Sequence, residues 1–145
     1  MPMNESEWFS CANPEPMLQL VRHALPESEL RLFVCGCCRR IWHLLVDQRS
    51  RSAVESAEAF ARGEIGEREL QVAKESAYAA YCERSQNAYD HAAGAAFFCT
   101  NAKKTMLPAA ANLVLAAVEN KDEERAAQAD LLRDIVGNPF QIGDP

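Results

Sequence analysis

The sequence predicts an all-α protein: a single-domain bundle of five or six helices around a central buried helix at about residues 27–46. Three observations predict it. Apolar residues recur at three- and four-residue spacing along most of the chain. No segment alternates apolar and polar residues over a strand's length, and no hairpin turn pair joins such segments. The stretch Arg31–Val46, RLFVCGCCRRIWHLLV, is apolar over most of its circumference when wound as a helix, which marks a core helix.

Residues 1–14 read as a lead-in segment that docks on the domain through Trp8 and Phe9 and turns at Asn13-Pro14. The bundle domain proper spans 15–137. Its first helix covers Glu15–Ala24, with Met17, Leu18, Leu20 and Val21 on the apolar side. Pro26 suits the first position of the central helix, and Glu27 and Glu29 favour its positive end. On the wheel Leu30, Phe33, Val34, Cys37, Cys38, Ile41, Leu44 and Leu45 share one face, flanked by Cys35 and Trp42. A buried strand is the competing reading of LFVCGCC. The apolar pattern runs on through Leu45 without a turn signal, too far for an ordinary strand. Gly36 costs a helix about 1 kcal/mol relative to Ala, which points to close approach of a neighbouring backbone.

Asp47–Arg51 reads as a turn. Ser52 with Glu55 forms a capping-box pattern, after which Ala53, Val54, Ala57, Phe60 and Ala61 keep helical spacing until Gly63 stops it. Ile65 packs back between helices. Gly66 opens the next helix, with Glu67 and Glu69 in its first turn and Leu70, Ala73, Ala77, Ala80, Tyr81, Arg84 and Ala88 along one face. The polar run Glu83–Asn87 bends or interrupts it. Helix resumes through Ala88–Met106, lined by small residues that let neighbours approach. Pro108 starts a helix over Ala109–Glu119, and Asn120–Asp122 is a break or a solvated stretch. The last helix runs to Val136, where Gly137 and then Asn138-Pro139 end it. Residues 138–145 form a tail in which Phe140 and Ile142 fold back and Gly143–Pro145 is loose. No solenoid-period repeat is present.

The chain has 145 residues, enough for one domain with a real core, and its 48% hydrophobic and 25% charged residues are ordinary for a globular protein. A net charge of −6 argues against nucleic acid as a partner, since phosphate contacts need a basic face. The N-terminus is polar and acidic, unlike a secretory signal. No run reaches the roughly 18 apolar residues of a membrane span. These features predict a cytoplasmic protein, with no membrane partner and with its six cysteines reduced.

Candidate chemistry concentrates in the central stretch. Cys35 and Cys38 are helix neighbours that could begin a zinc site, completed by Cys11, Cys82, Cys99 or a histidine from elsewhere; Cys11, Cys35 and Cys38 are the candidate set. No second cysteine pair with metal-ligand spacing accompanies them, and free cysteine commonly packs as a small hydrophobe. Core packing is therefore the favoured reading of Cys35, Cys37 and Cys38, with zinc as the alternative. A reactive thiol is the third reading: Arg39 and Arg40 would lower a nearby thiol's pKa, though the apolar wheel buries it and His43 lies on another face. Arg39, Arg40, Arg49 and Arg51 form a candidate docking patch. The competing reading, which we favour, pairs them with local carboxylates such as Asp47, Glu55 and Glu58. Trp8 and Trp42 fit core staples better than interface anchors, and Tyr78, Tyr81 and Tyr89 line one side. Phosphate and dinucleotide loops, HExxH, EF-hand loops, nucleophile elbows and Glu-x-x-His pairs are all missing from the sequence.

Four blocks carry a resemblance: Glu7-Trp8 with Cys11 and Pro14, LRLFVCGCCRRIWHLL at 30–45, RSRSAVESAEAFARGE at 49–64, and LLRDIVGNPF at 131–140. Together they resemble an uncharacterised helical domain that recurs in planctomycete proteins. The resemblance implies one domain over most of the chain and brings no established activity. Similar domains commonly continue past the NPF-like block, which implies a short form here.

The expected function is a non-catalytic helical module that binds another protein and needs no cofactor. The alternative is a zinc-binding or thiol-based sensor domain centred on Cys35, Cys37 and Cys38.

Overall fold

The helix at the middle of the molecule is α3, Glu27–Arg40, and in the computed structural model it is buried along nearly its whole length. The structure describes residues 3–86 and 88–140. Seven further α-helices lie among them: α1 (Glu5–Ser10), α2 (Pro14–Val21), α4 (Gln48–Ala61), α5 (Glu67–Arg84), α6 (His91–Cys99), α7 (Pro108–Ala117) and α8 (Lys121–Val136). No strand occurs among the described residues. The all-α bundle expected from the periodicity is present, with eight helices rather than five or six among those residues. Of these, α1 lies in the lead-in, where no helix was expected, and breaks before α6 and α8 separate pieces that the sequence left open as longer helices. No helix of the described residues is long and apolar enough to cross a membrane.

Four helices, α4, α6, α7 and α8, pack directly on α3. In turn α5 covers α4 and α6, and α2 lies on α8. The α3 side chains Phe33, Val34, Cys35, Cys37 and Cys38 are almost wholly inaccessible. Against them α6 presents Ala92, Ala95, Ala96 and Cys99, small residues that permit close approach. Gly36 is needed for contact with a side chain, not with backbone as expected: an added Cβ would sit 2.7 Å from Leu131 Cδ2 on α8.

The central helix stops earlier than its apolar pattern suggested. Ile41 leaves helical geometry, and Trp42–Leu44 tightens into a 3₁₀ turn. Ile41 and Leu45 stay buried, whereas Leu44, expected on the buried face, is exposed. The carbonyls of Trp42 and Leu45 both accept from the Arg51 guanidinium on α4, the first of them alongside the Leu45 N–H. The end of α3 itself is capped by the Ile41 N–H donating to Cys38 O, and no glycine or proline advertises the stop.

Other boundaries moved for local reasons. The segment 47–51 is no turn: Asp47 Oδ1 accepts from the Arg49 N–H at 2.9 Å and caps α4, so Ser52 is already inside the helix and the capping box with Glu55 does not form. Gly63 ends α4 with φ +76°, as the sequence indicated. Glu69 reaches back to the Gly66 N–H at the start of α5. The polar run after Glu83 does interrupt: α5 ends at Arg84, and Asp90 caps α6 by accepting from the Ala93 N–H at 3.0 Å. Helix then stops at Cys99 rather than running to Met106, and a 3₁₀ turn at Lys104–Met106 leads into Pro108. Asn120 caps α8, which makes 120 a true break, and Gly137 closes α8 with φ +76°.

The lead-in contains its own helix, α1, closed by a reciprocal Asn4–Glu7 capping box. Trp8 is fully buried and its indole N–H donates to Gly137 O at 3.0 Å, which ties the first helix to the end of the last. Arg133 of α8 holds the same segment by donating to the carbonyls of Trp8 and Cys11. Phe9, expected to dock beside Trp8, faces outward at 51% exposure. One turn of helix cannot aim two adjacent side chains at one surface. Phe140 is exposed, and the fold-back expected of Ile142 and the loose end at 143–145 lie outside the described residues.

Candidate functional site: a buried arginine beside a cleft

The cysteine block supplies core, not an exposed thiol. Cys35, Cys37 and Cys38 are buried, and Cys38 Sγ lies 3.4 Å from Cys99 Sγ on α6. Hydrogen bonding with Cys99 and burial push the Cys35 thiol well above its ordinary pKa. Burial, reinforced by the Glu124 carboxylate, does the same to Cys37. At Cys38 the bond with Cys99 pulls downward, but burial and the neighbouring thiols outweigh it and the net shift is upward. Cys11 is elsewhere, half-buried at the α1–α2 junction with its sulfur against Asn13 O. The structure therefore brings Cys38 to Cys99, not to Cys11. Among the described residues no group of three or more His, Cys, Asp or Glu is arranged to hold a metal ion.

The four arginines of the candidate patch all have partners within the chain. Arg39 grips Glu58 through a two-pronged pair, Nε to Oε2 at 2.9 Å and Nη2 to Oε1 at 2.6 Å, and its guanidinium lies over the Trp42 ring at 4.2 Å. Arg40 pairs with buried Glu124 at 3.0 Å. Arg49 bridges Asp47 and Glu83, holding both carboxyls below their usual range by hydrogen bonding. Arg51 caps the turn after α3 and also faces Trp42. Of the carboxylates named from sequence, Asp47 and Glu58 are used directly, while Glu55 acts on Arg39 only through its field.

On the outer side of α5 and α6 the tyrosines gather as expected, with partners that sequence did not indicate. Tyr81 stacks on Phe97 with a centroid separation of 6.1 Å, Tyr78 leans on Phe97 at 5.2 Å, and the Tyr81 hydroxyl bonds to the Tyr89 hydroxyl. Desolvation, followed by that hydroxyl contact, pushes the Tyr81 phenol up to about 12. Tyr89 in turn lies 4.7 Å from the His91 ring. Leu44, Tyr89 and His91 share the rim of one shallow hollow.

The residue that sequence reading passed over is Arg31. It is only 1% exposed. Nη1 donates to Cys99 O at 2.7 Å, and the guanidinium sits 5.1 Å from the centre of the Phe60 ring. Its Nε and Nη2 have no hydrogen-bond partner. Glu27, one turn earlier, lies 3.5 Å from Nη2, with a side chain 40% exposed. A buried donor left unmatched costs on the order of 1–3 kcal/mol, so this edge is an expensive vacancy. A cleft of about 600 Å³ adjoins it, lined by Arg31, Glu27, Phe60, Leu70, Gln71 and Thr100, with Arg68, Glu67 and Glu75 also on the wall. A signal for Arg31 was present in the sequence: it stands four and seven residues before Cys35 and Cys38, on the same buried stripe.

Comparison with family models, with curated proteins and with solved structures finds no match for this chain.

Proposed function

We propose that the protein is a non-catalytic helical module that recognises another protein through the aromatic face of α5 and α6, in a reducing compartment such as the cytoplasm. The observation that carries this reading is the exposure of Tyr78 and Tyr89, 52% and 51%, on a clustered and mutually braced set of rings. Tyrosine offers large amphipathic area with few rotors to freeze, which is why it is enriched at recognition surfaces. Leu44 adds exposed apolar area beside Tyr89. Arg39, Arg40 and Arg51 are engaged in holding the bundle together, so the candidate docking patch contributes less than the rings. No cofactor is needed for this role, and the thiol-centred alternative has its cysteines as shielded, neutral groups.

The test places a photo-crosslinking amino acid at Tyr78 or Tyr89 in the cell of origin, with exposed Glu64 as the control position. The reading expects a discrete adduct from both tyrosine positions and none from Glu64. Adducts equal at all three positions, or absent at all three, contradict it.

A further inference from the structure

We infer that the Arg31 cleft binds the carboxylate of a monoanionic ligand with an apolar body. The Nε and Nη2 edge of a guanidinium is a fork that matches two carboxylate oxygens. This chain shows that fork filled once, where Arg39 takes Glu58 with those same two nitrogens. At Arg31 the equivalent nitrogens are buried and without a hydrogen-bond partner, Nη2 having only the long ion pair to Glu27 at 3.5 Å, while Nη1 is held by the Cys99 carbonyl. The guanidinium is therefore held in one orientation, with its fork on the side of Glu27 and the cleft. Glu27 covers the fork without satisfying it, and its partly exposed side chain can move to the rim when a ligand carboxylate arrives.

The walls define the remainder of the ligand. Phe60, Leu70, Val72 and Ala102 give apolar surface, and the volume of about 600 Å³ suits a small molecule or one terminal residue. Glu27, Glu67 and Glu75 outnumber Arg31 and Arg68 on the lining, a balance that repels a dianion such as phosphate more than a monocarboxylate and leaves the Arg31 fork as the source of attraction. A free carboxylic acid and a peptide's C-terminus share the required chemistry. This inference does not depend on the tyrosines.

The experiment titrates the ¹⁵N-labelled full chain with hexanoate, hexanamide, inorganic phosphate, and a short peptide ending in leucine with its C-terminus free or amidated. The Arg31 Nε–H resonance and the amides of Phe60, Gln71 and Thr100 are followed. Expected is saturable movement of these signals by hexanoate or the free peptide, with Kd about 1 mM or tighter, and none by hexanamide, phosphate or the amidated peptide. Which of the two carboxylates binds tells the source apart. Arg31→Lys keeps the charge and removes the fork, and weakens binding at least about tenfold. Glu27→Gln removes the competing anion and tightens it by up to about fivefold. Ala102→Trp fills the cleft from an exposed loop position, abolishing binding with the circular dichroism spectrum unchanged. That variant keeps the test decisive if Arg31→Lys fails to fold. No saturable shift with either carboxylate, equal shifts with hexanoate and hexanamide, or binding indifferent to Ala102→Trp overturns the inference.

Discussion

Leu131 on α8 inserts a methyl group against Gly36 on α3, 2.7 Å from where a β-carbon would stand. The two residues are 95 positions apart in sequence, and the contact sets how closely α8 lies on the central helix. Gly36→Ala gains about 1 kcal/mol of helix propensity and suffers overpacking of about 1–3 kcal/mol. The net expectation is a loss of about 1 kcal/mol. In a Leu131→Ala background the clash is gone, and the same substitution stabilises by about 0.5–1 kcal/mol. Urea denaturation of the four proteins checks this, and an unchanged sign in both backgrounds would refute the contact.

Alkaline pH should destabilise the fold steeply. Four thiols, Cys35, Cys37, Cys38 and Cys99, have folded pKa values raised above the ordinary one. Unfolded thiols titrate near pH 8.5. Above that value the unfolded chain releases protons that the folded chain retains, so stability present below about pH 8.5 is lost as pH rises towards the folded values. Each thiol contributes about 1.4 kcal/mol per pH unit in that window. Cys37 is fully buried and outside the trio around Cys99, so Cys37→Ala should reduce the slope by about a quarter. Denaturation at pH 7 to 10 under reducing conditions measures it. A flat profile would show that the thiols titrate normally in the fold.

Arg51 is expected to hold the 3₁₀ turn after α3 from a neighbouring helix. Arg51→Lys retains charge but cannot span the Trp42 and Leu45 carbonyls as the guanidinium does. The expected cost is about 1–2 kcal/mol, with a change in Trp42 fluorescence because Arg51 lies over that ring at 5.3 Å. A variant of native stability and unchanged emission would mean that the turn at 42–44 holds itself.

What sequence made legible, and what it hid, divides along locality. Gly63, Gly137 and Pro108 ended or began helices where short-range chemistry said they would, whereas the break at Asn120 was left open by the sequence. The burial of Phe33, Val34, Cys35, Cys37 and Cys38 followed from periodicity alone. The early stop at Arg40 did not, because the apolar pattern runs on through a 3₁₀ turn that Arg51 braces from α4. Gly36 was noticed, but its reason lay in Leu131, on a helix that no local rule connects to it. The arginine cluster was recognised and its internal pairing favoured, yet Glu124 and Glu83 as partners depended on packing of α8 and α5. Arg31 escaped notice because a cation in a helix is ordinarily read as solvated, and only its shared stripe with Cys35 and Cys38 argued otherwise.

The account turns on α3 being wrapped with its sulfurs inside. Alkylation of the native protein with iodoacetamide under reducing conditions, read by peptide mass spectrometry, tests this most directly. Cys82, exposed on α5, should be modified first and half-buried Cys11 next, while Cys35, Cys37, Cys38 and Cys99 stay intact until urea is added. Modification of any of those four at a rate comparable to Cys82, with the fold intact, would contradict it.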